Sequence, residues 1–194
     1  MLARIRSGEH VDELLQLDHY WVEIVDSRLV KIEAKASHIH QTIVANLRDI
    51  LHPFVRMTDL GHVFSCAQAY QLHATEDGPN NTRIADFAFV RMLLSHDYEP
   101  GQPYPGAPDL AVEIVPPTGT TVEAMRKAAD FFRYGTEEVW LIYPVRQEIH
   151  IYRHDSKRPR FYRSGQIFET RDLFPGLGIP VGEVFARRHA AKSG

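Results

Sequence analysis

The stretch LAVEIVPPTGTTVEAMRKAADFFRYGTEEVWLIY, residues 110–143, decides the fold. It begins with the apolar run Leu110–Val115, continues through a helical pattern at residues 121–134 and ends in a second apolar run, Val139–Tyr143. Strand, helix and strand in this order make a βαβ unit. We therefore expect two parallel strands joined by a right-handed crossover.

Within this unit, the helix over residues 121–134 carries apolar residues at helical spacing. Its expected buried stripe consists of Val122, Met125, Ala129 and Phe132. Gly135 stands where a C-terminal cap belongs, which supports an end of the helix near residue 134.

Further elements are predicted upstream of the unit. Residues 20–32 contain two β-rich runs on either side of Asp26 and Ser27, which is typical of a hairpin. A helix is predicted from Ser37 to Leu51, and Pro53 is expected to end it. Residues 83–91 are nearly all apolar and predict one continuous strand.

These elements predict an α/β or α+β class built on a mixed sheet with flanking helices and an N-terminal hairpin. The 194 residues are expected to form a single domain, 1–194, with a core at roughly 15–185. A short helix is expected near residues 11–17, and a frayed tail is expected over residues 187–194.

The composition is that of an ordinary globular protein, with 44% apolar and 24% charged residues. A single cysteine, Cys66, excludes an intrachain disulfide and fits the cytoplasm. No stretch of about 18 apolar residues occurs, so no membrane span is expected. The formal net charge of −3 is mild evidence against tight non-specific nucleic-acid binding, although it allows a local basic groove.

Three charged residues interrupt otherwise apolar surroundings. Asp86 lies within the run 83–91, Glu113 lies between Val112 and Ile114, and Lys127 is in the helix that follows. Each alone could reach solvent or form a salt bridge. Together they favour a site, because two carboxylates on neighbouring strands can hold Mg²⁺. The lysine could then orient water and neutralise charge on a phosphate, which is the chemistry of phosphodiester hydrolysis.

The chain resembles the Uma-type restriction endonuclease family, a bacterial branch of the PD-(D/E)XK superfamily. The similarity lies in an ordered set of positions over roughly residues 15–185. It comprises residues 23–27, residues 38–47, residues 83–90, residues 108–118, Glu123, Lys127, Phe131, Gly135, Glu138 and Trp140.

The resemblance implies a restriction-endonuclease-like core with Asp86, Glu113 and Lys127 as the catalytic residues. Asp86 and Glu113 would be ligands of Mg²⁺, with Mn²⁺ as a possible substitute. In the superfamily's usual pattern the lysine stands two residues after the glutamate, where this chain has Val115. The Uma-type family is similar to this chain in having that lysine on the following helix, at Lys127.

Three accessory residues complete the expected site. The family places an acidic residue one helical turn before the lysine, and Glu123 fits that position. The resemblance suggests Glu23 as a further acid, although an exposed hairpin carboxylate is the alternative. His40 could approach a phosphate, and its alternative is an exposed surface pair with His38.

The leading functional prediction is an endonuclease that hydrolyses phosphodiester bonds in DNA, and a homodimer is a further expectation. The alternative is a catalytically inactive module that keeps the nuclease fold to bind nucleic acid or protein. A third and weaker prediction is a metal-dependent hydrolase with a different substrate, because no obvious basic stripe is present.

Overall fold

In the computed structural model, residues 20–33, 37–65, 68–76, 78–91, 102–117, 121–170 and 172–187 are described. The predicted short helix at 11–17 lies outside these ranges, as does all but the first residue of the predicted tail. The helices are α1 (His38–Thr58), α2 (Thr121–Arg133) and α3 (Val181–Phe185). The strands are β1 (Tyr20–Val25), β2 (Arg28–Glu33), β3 (Gly61–Ser65), β4 (Ala69–Thr75), β5 (Gly78–Ile84), β6 (Phe87–Arg91), β7 (Tyr104–Pro105), β8 (Leu110–Ile114), β9 (Glu138–Tyr143), β10 (Glu148–Arg153), β11 (Ser156–Arg163), β12 (Ile167–Glu169) and β13 (Gly178–Pro180).

The described strands form two principal sheets. The larger has the order β11-β10-β9-β8-β6-β3, and the other has the order β2-β1-β5-β4-β7. Strands β12 and β13 pair separately. In the larger sheet β8 and β9 run parallel while the other neighbours are antiparallel, which confirms the predicted mixed sheet. No helix in the described ranges combines the length and apolar character needed to cross a bilayer.

The βαβ unit forms the centre of the larger sheet. Every residue of β8 is buried, and alternate side chains pack into two different core clusters. Val112 and Ile114 pack with α1, while Ala111 packs with Phe131 of α2. Because side chains alternate along a strand, Glu113 points to the α2 side of the sheet.

The N-terminal hairpin is present as predicted. Val25 pairs with Arg28 at its tight end, and Asp26 and Ser27 form the turn with φ angles of 48° and 59°. Positive φ at both central residues is the signature of a type I′ turn, which matches the twist of the paired strands. The hairpin joins β5 through Ile24 and Thr82, and this pairing positions Glu23.

The prediction that Pro53 ends the first helix is wrong, because α1 continues to Thr58. Proline inside a helix removes one backbone hydrogen bond. The last turn compensates by burying Val55 and packing Phe54 against the core. Asp59 then ends the helix in the left-handed conformation, with a φ of 52°.

The predicted single strand over residues 83–91 is divided into β5 and β6, which belong to different sheets. Ala85 and Asp86 form the junction between them. The backbone N–H of Asp86 donates to the Val112 carbonyl at 3.0 Å, and its carboxylate accepts from the Ile114 N–H at 2.7 Å. The hydrogen bonds of the aspartate therefore stabilise the junction where the chain passes from one sheet to the other.

The predicted buried stripe of α2 is wrong at Val122, Met125 and Ala129, whereas the fourth predicted residue, Phe132, is half-buried and packs against the core. The buried residues are Ala128 and Phe131, while Val122 is 60% exposed and Met125 and Ala129 are also exposed. The helix is rotated about its axis relative to the expectation. This rotation turns Lys127 toward the buried carboxylates on the sheet.

The orientation of α2 can be tested by comparing two truncations. Phe131→Ala should lower the free energy of unfolding by about 3–5 kcal/mol, because a fully buried ring leaves a cavity. Val122→Ala should change it by less than about 0.5 kcal/mol, since this side chain faces solvent. Urea denaturation measures both values, and the opposite ranking would restore the orientation expected from the sequence.

Candidate functional site

The site lies on the α2 side of the larger sheet, at the end of β8. Asp86 and Glu113 come from neighbouring chain segments and are 3% and 2% exposed. Phe87 pairs with Val112, so Asp86 lies one step beyond the last paired residues, beside Glu113. Two carboxylates are thus buried next to each other on the sheet, where burial of charge is costly without a compensating cation.

Lys127 supplies such a cation from α2. Its Nζ lies 2.8 Å from Glu113 Oε1 and 3.0 Å from Glu23 Oε1. It also donates to the Ile84 carbonyl at 2.5 Å. An ammonium has three N–H donors, so these three acceptors match its full capacity. Helix α2, strand β8 and the hairpin therefore meet at one nitrogen atom.

Electrostatics keep this ammonium protonated. Burial by itself would lower the pKa of Lys127, but the carboxylates of Glu113, Glu23 and Asp86 outweigh burial and raise that pKa above its ordinary value. Glu23 shows the complementary shift. Burial would raise the pKa of Glu23, but Lys127 and Arg83 hold it below its usual range. Both groups are therefore charged at neutral pH.

Arg83 and Asp130 also belong to the site, and the sequence interpretation missed them. Arg83 Nη1 donates to Glu23 Oε2 at 2.7 Å, and its Nε donates to Asp130 Oδ2 at 3.0 Å. The Nη2 atom of Arg83 also contacts Asp130. One signal was available, because Asp130 follows Lys127 by three residues and must lie on the same side of a helix.

His40 contacts the other side of the aspartate. It is buried on α1, and its Nε2 lies 3.2 Å from Asp86 Oδ1. His38 is exposed, so the two histidines do not form a surface pair. The contact gives Asp86 a neighbour on each carboxylate oxygen, because Oδ2 already accepts from Ile114. His40 therefore restricts the orientation of this carboxylate.

The remaining accessory residues differ in position. Glu23 is 3% exposed and lies inside the cluster, so the alternative of an exposed hairpin carboxylate does not apply. Glu123 is exposed in the first turn of α2, one turn before Lys127. It therefore stands at the exposed rim of the site. We call Glu23, Arg83, Asp86, Glu113, Lys127 and Asp130 the buried charge cluster.

The donor set bears on which metal could bind. Asp86 and Glu113 offer carboxylate oxygens, the ligands that Mg²⁺ and Mn²⁺ prefer. In the described ranges, no group of three or more His, Cys, Asp or Glu residues is arranged to hold a metal ion. A pair of carboxylates is nevertheless a sufficient protein contribution for Mg²⁺, which usually retains several waters and uses substrate phosphate oxygens.

A comparison with models of protein families identifies the family of this chain. The model named Uma2, described as "Putative restriction endonuclease", matches residues 11–182, most of the chain. The chain belongs to the Uma2 family. No curated protein matches it.

The fold of this Uma2 protein is also found among solved structures. The chain is similar to a protein described as a "putative nuclease belonging to DUF820" from Anabaena variabilis ATCC 29413, with a TM-score of 0.69 and 18% sequence identity. The match covers 90% of this chain and 96% of that chain. At this identity the likeness concerns the fold. The predicted family and the predicted α/β class with a restriction-endonuclease-like core are confirmed.

The role of Glu23 in holding this Uma2 site together can be tested by pH-dependent stability. Glu23→Gln should lower the free energy of unfolding at pH 7 by about 3–5 kcal/mol, because two buried cations lose a charged partner. A carboxyl whose folded pKa is lowered stabilises above its unfolded value. The difference from the wild type should therefore shrink below about pH 4.5.

The matched control is Glu169→Gln, which alters an exposed glutamate in β12. It should change the stability by less than about 0.5 kcal/mol at either pH. Urea denaturation across the pH range gives these values. A Glu23→Gln difference that is small, or that stays constant down to pH 3, would contradict the ion-pairing role of Glu23.

Proposed function

We propose that this Uma2-family chain is a divalent-metal-dependent endonuclease that hydrolyses phosphodiester bonds in DNA. Family and fold together indicate a nuclease of the restriction-endonuclease type. The observation that carries the proposal is the contact of the Lys127 ammonium with Glu113, beside the Asp86 carboxylate on the same sheet. An adjacent acid pair and a protonated lysine are groups that can support phosphodiester hydrolysis, through a bound metal ion and stabilisation of charge on the phosphate.

Asp86 and Glu113 would hold the metal ion, with Mg²⁺ as the proposed ion and Mn²⁺ as a substitute. When bound, such an ion neutralises charge on a phosphate and lowers the pKa of a coordinated water. The protein contributes the orientation of the two carboxylates. Ile114 and His40 fix the two oxygens of Asp86, and Lys127 fixes Glu113. Fixed ligands avoid the cost of reorganisation during the reaction.

Lys127 acts as a cation in this proposal. Burial lowers the pKa of Lys127, but Glu113 and Glu23 raise it above its ordinary value and so favour the protonated form, which has no lone pair to accept a proton. A protonated ammonium can instead hold the attacking water by hydrogen bonding and stabilise negative charge on the phosphate. Glu23 positions this ammonium from the hairpin, and Glu123 at the rim is proposed as an accessory acid.

One observation favours the alternative, a nuclease fold that binds nucleic acid or protein without turnover. The three donors of Lys127 already match three protein acceptors, an arrangement that also suits a purely structural lysine. In the catalytic case, a phosphate or a water must take over one of these contacts. The two functions therefore differ in whether the chain turns over DNA in the presence of metal.

Plasmid cleavage with Mg²⁺ or Mn²⁺ tests the proposal. The wild type should nick or cut supercoiled DNA, and chelation should abolish the activity. Glu113→Gln and Lys127→Ala should each reduce the rate by roughly 10²–10³-fold, since each removes a group that acts on the developing charge. Glu169→Gln, an exposed change on β12 outside the cluster, should cut at the wild-type rate.

Circular dichroism and thermal unfolding accompany each variant, because Lys127→Ala leaves two buried carboxylates without a cation. Glu113→Gln keeps the shape of the side chain, so it provides a second test of the catalytic assignment if Lys127→Ala unfolds. Folded variants that cleave at the wild-type rate would overturn the catalytic assignment. A folded wild type that cleaves no DNA with either metal would favour the inactive module.

Other parts of the proposal concern the protein as a whole. A single domain over 1–194, a possible homodimer and a cytoplasmic location remain predictions from the sequence.

A further inference from the structure

Three aromatic rings lie side by side on the outer strands of the larger sheet. Tyr143 of β9 and His150 of β10 have ring centroids 4.5 Å apart. His150 and Phe161 of β11 are also 4.5 Å apart, nearly perpendicular at 79°. Phe161 is 57% exposed, which is unusual for a phenylalanine in a well-packed sheet. We call Tyr143, His150 and Phe161 the aromatic strip.

The strip lies on the same face of the sheet as the candidate active site. Glu113 pairs with Leu141, Leu141 pairs with His150, and His150 pairs with Phe161. Directly paired residues point to the same face, so this row continues from Glu113 to the sheet edge. Three inter-strand steps of about 4.8 Å place Phe161 about 14 Å from Glu113 along the row.

Cations surround the strip. The Arg146 guanidinium lies 5.9 Å from the centroid of the Tyr143 ring. Arg163 pairs across from Glu148 on the strip's face of β11 and is exposed. The same edge strand carries further exposed cations at Lys157, Arg158 and Arg160, of which Arg160 pairs with Ile151 and points to the opposite face.

The acidic residue next to the strip, Glu148, does not oppose an anionic ligand strongly. Glu148 contacts the His150 ring at 3.2 Å and accepts from Arg163 Nε at 2.9 Å. Its negative charge is therefore balanced by Arg163, and its position holds both side chains in place. The local charge is thus positive, although the chain as a whole carries −3.

A second copy of the chain fits this surface poorly. Strand β11 is at the edge of the larger sheet, where backbone groups could pair with another strand. Pro159 interrupts the row of N–H donors, and the cations of β11 would face their own copies in a symmetric pair. Charge complementarity favours a polyanion with flat apolar groups.

We propose that the aromatic strip, with Arg146 and Arg163, binds unpaired nucleotides of the DNA substrate next to the cleavage site. This inference rests on the proposed nuclease function and specifies its substrate as DNA with a single-stranded segment. An aromatic ring stacks most readily on a base that has left its duplex, since bases paired within a duplex present mainly their edges. Arginines beside the rings bind the phosphates that connect the stacked bases.

Fluorescence anisotropy with a labelled single-stranded oligonucleotide, and with the blunt duplex of the same sequence, tests this inference. The measurements are made in chelator, so that binding is separated from cleavage. Phe161→Ala should raise the Kd for the single strand by roughly tenfold, the loss expected for one stacked base. It should leave the Kd for the duplex unchanged. Arg163→Ala should reduce the slope of log K against log salt by about 0.7.

Three further variants test whether the aromatic ring of Phe161 is responsible for the single-strand binding. Phe161→Leu keeps an apolar side chain without a ring face and should behave like Phe161→Ala, whereas Phe161→Trp should bind the single strand at least as tightly as the wild type. Ile167→Ala changes an equally exposed apolar residue on β12 and should have no effect. All of these positions are exposed, so the variants should fold.

Two results would overturn the inference. One is single-strand binding that is unchanged in Phe161→Ala and Phe161→Leu. The other is a wild-type dimer, measured by light scattering, that Phe161→Ala converts to monomers while DNA binding stays constant. The proposed function fails separately. If Phe161→Ala loses single-strand binding while the wild-type chain cleaves no DNA with metal, nucleotide binding by the aromatic strip is supported. The proposed nuclease activity is then rejected.

Discussion

The ion pair between Lys127 and Glu113 is the interaction on which the site depends. Both groups are largely removed from water, so each would destabilise the fold alone. The same ammonium contacts Glu23 of the hairpin and the Ile84 carbonyl at the end of β5. One nitrogen thereby joins α2, both principal sheets and the hairpin. The arrangement that would bind a phosphate is also the arrangement that fixes these elements in place.

Much of the fold was predictable because it depends on local patterns. The apolar runs on either side of the helix over 121–134 predicted the parallel pair β8 and β9. The Asp26-Ser27 turn predicted the hairpin, since few residue pairs accept positive φ twice. Asp86 and Glu113 stood out because each interrupts an apolar segment, and Lys127 stood out through the family resemblance. Such interruptions can be recognised without knowledge of tertiary contacts.

The remaining features depend on tertiary packing. The division of residues 83–91 at Asp86 follows from hydrogen bonds to Val112 and Ile114, which are distant in sequence. The orientation of α2 buries Ala128 and Phe131 and brings Lys127 to Glu113, a contact with a residue of another element that the apolar pattern of the helix does not show. The continuation of α1 past Pro53 is stabilised by burial of Val55. Arg83 was missed because its partners come from two other elements.

The central claim is that Asp86 and Glu113 form one divalent-cation site whose geometry the Lys127 ammonium maintains. Isothermal titration calorimetry with Mn²⁺ on the wild type, Asp86→Asn and the exposed control Glu169→Gln tests it most directly. We expect a single binding event in the wild type and the control, and its loss in a folded Asp86→Asn variant. Equal Mn²⁺ binding by Asp86→Asn and the wild type, or no binding by the wild type, would contradict it.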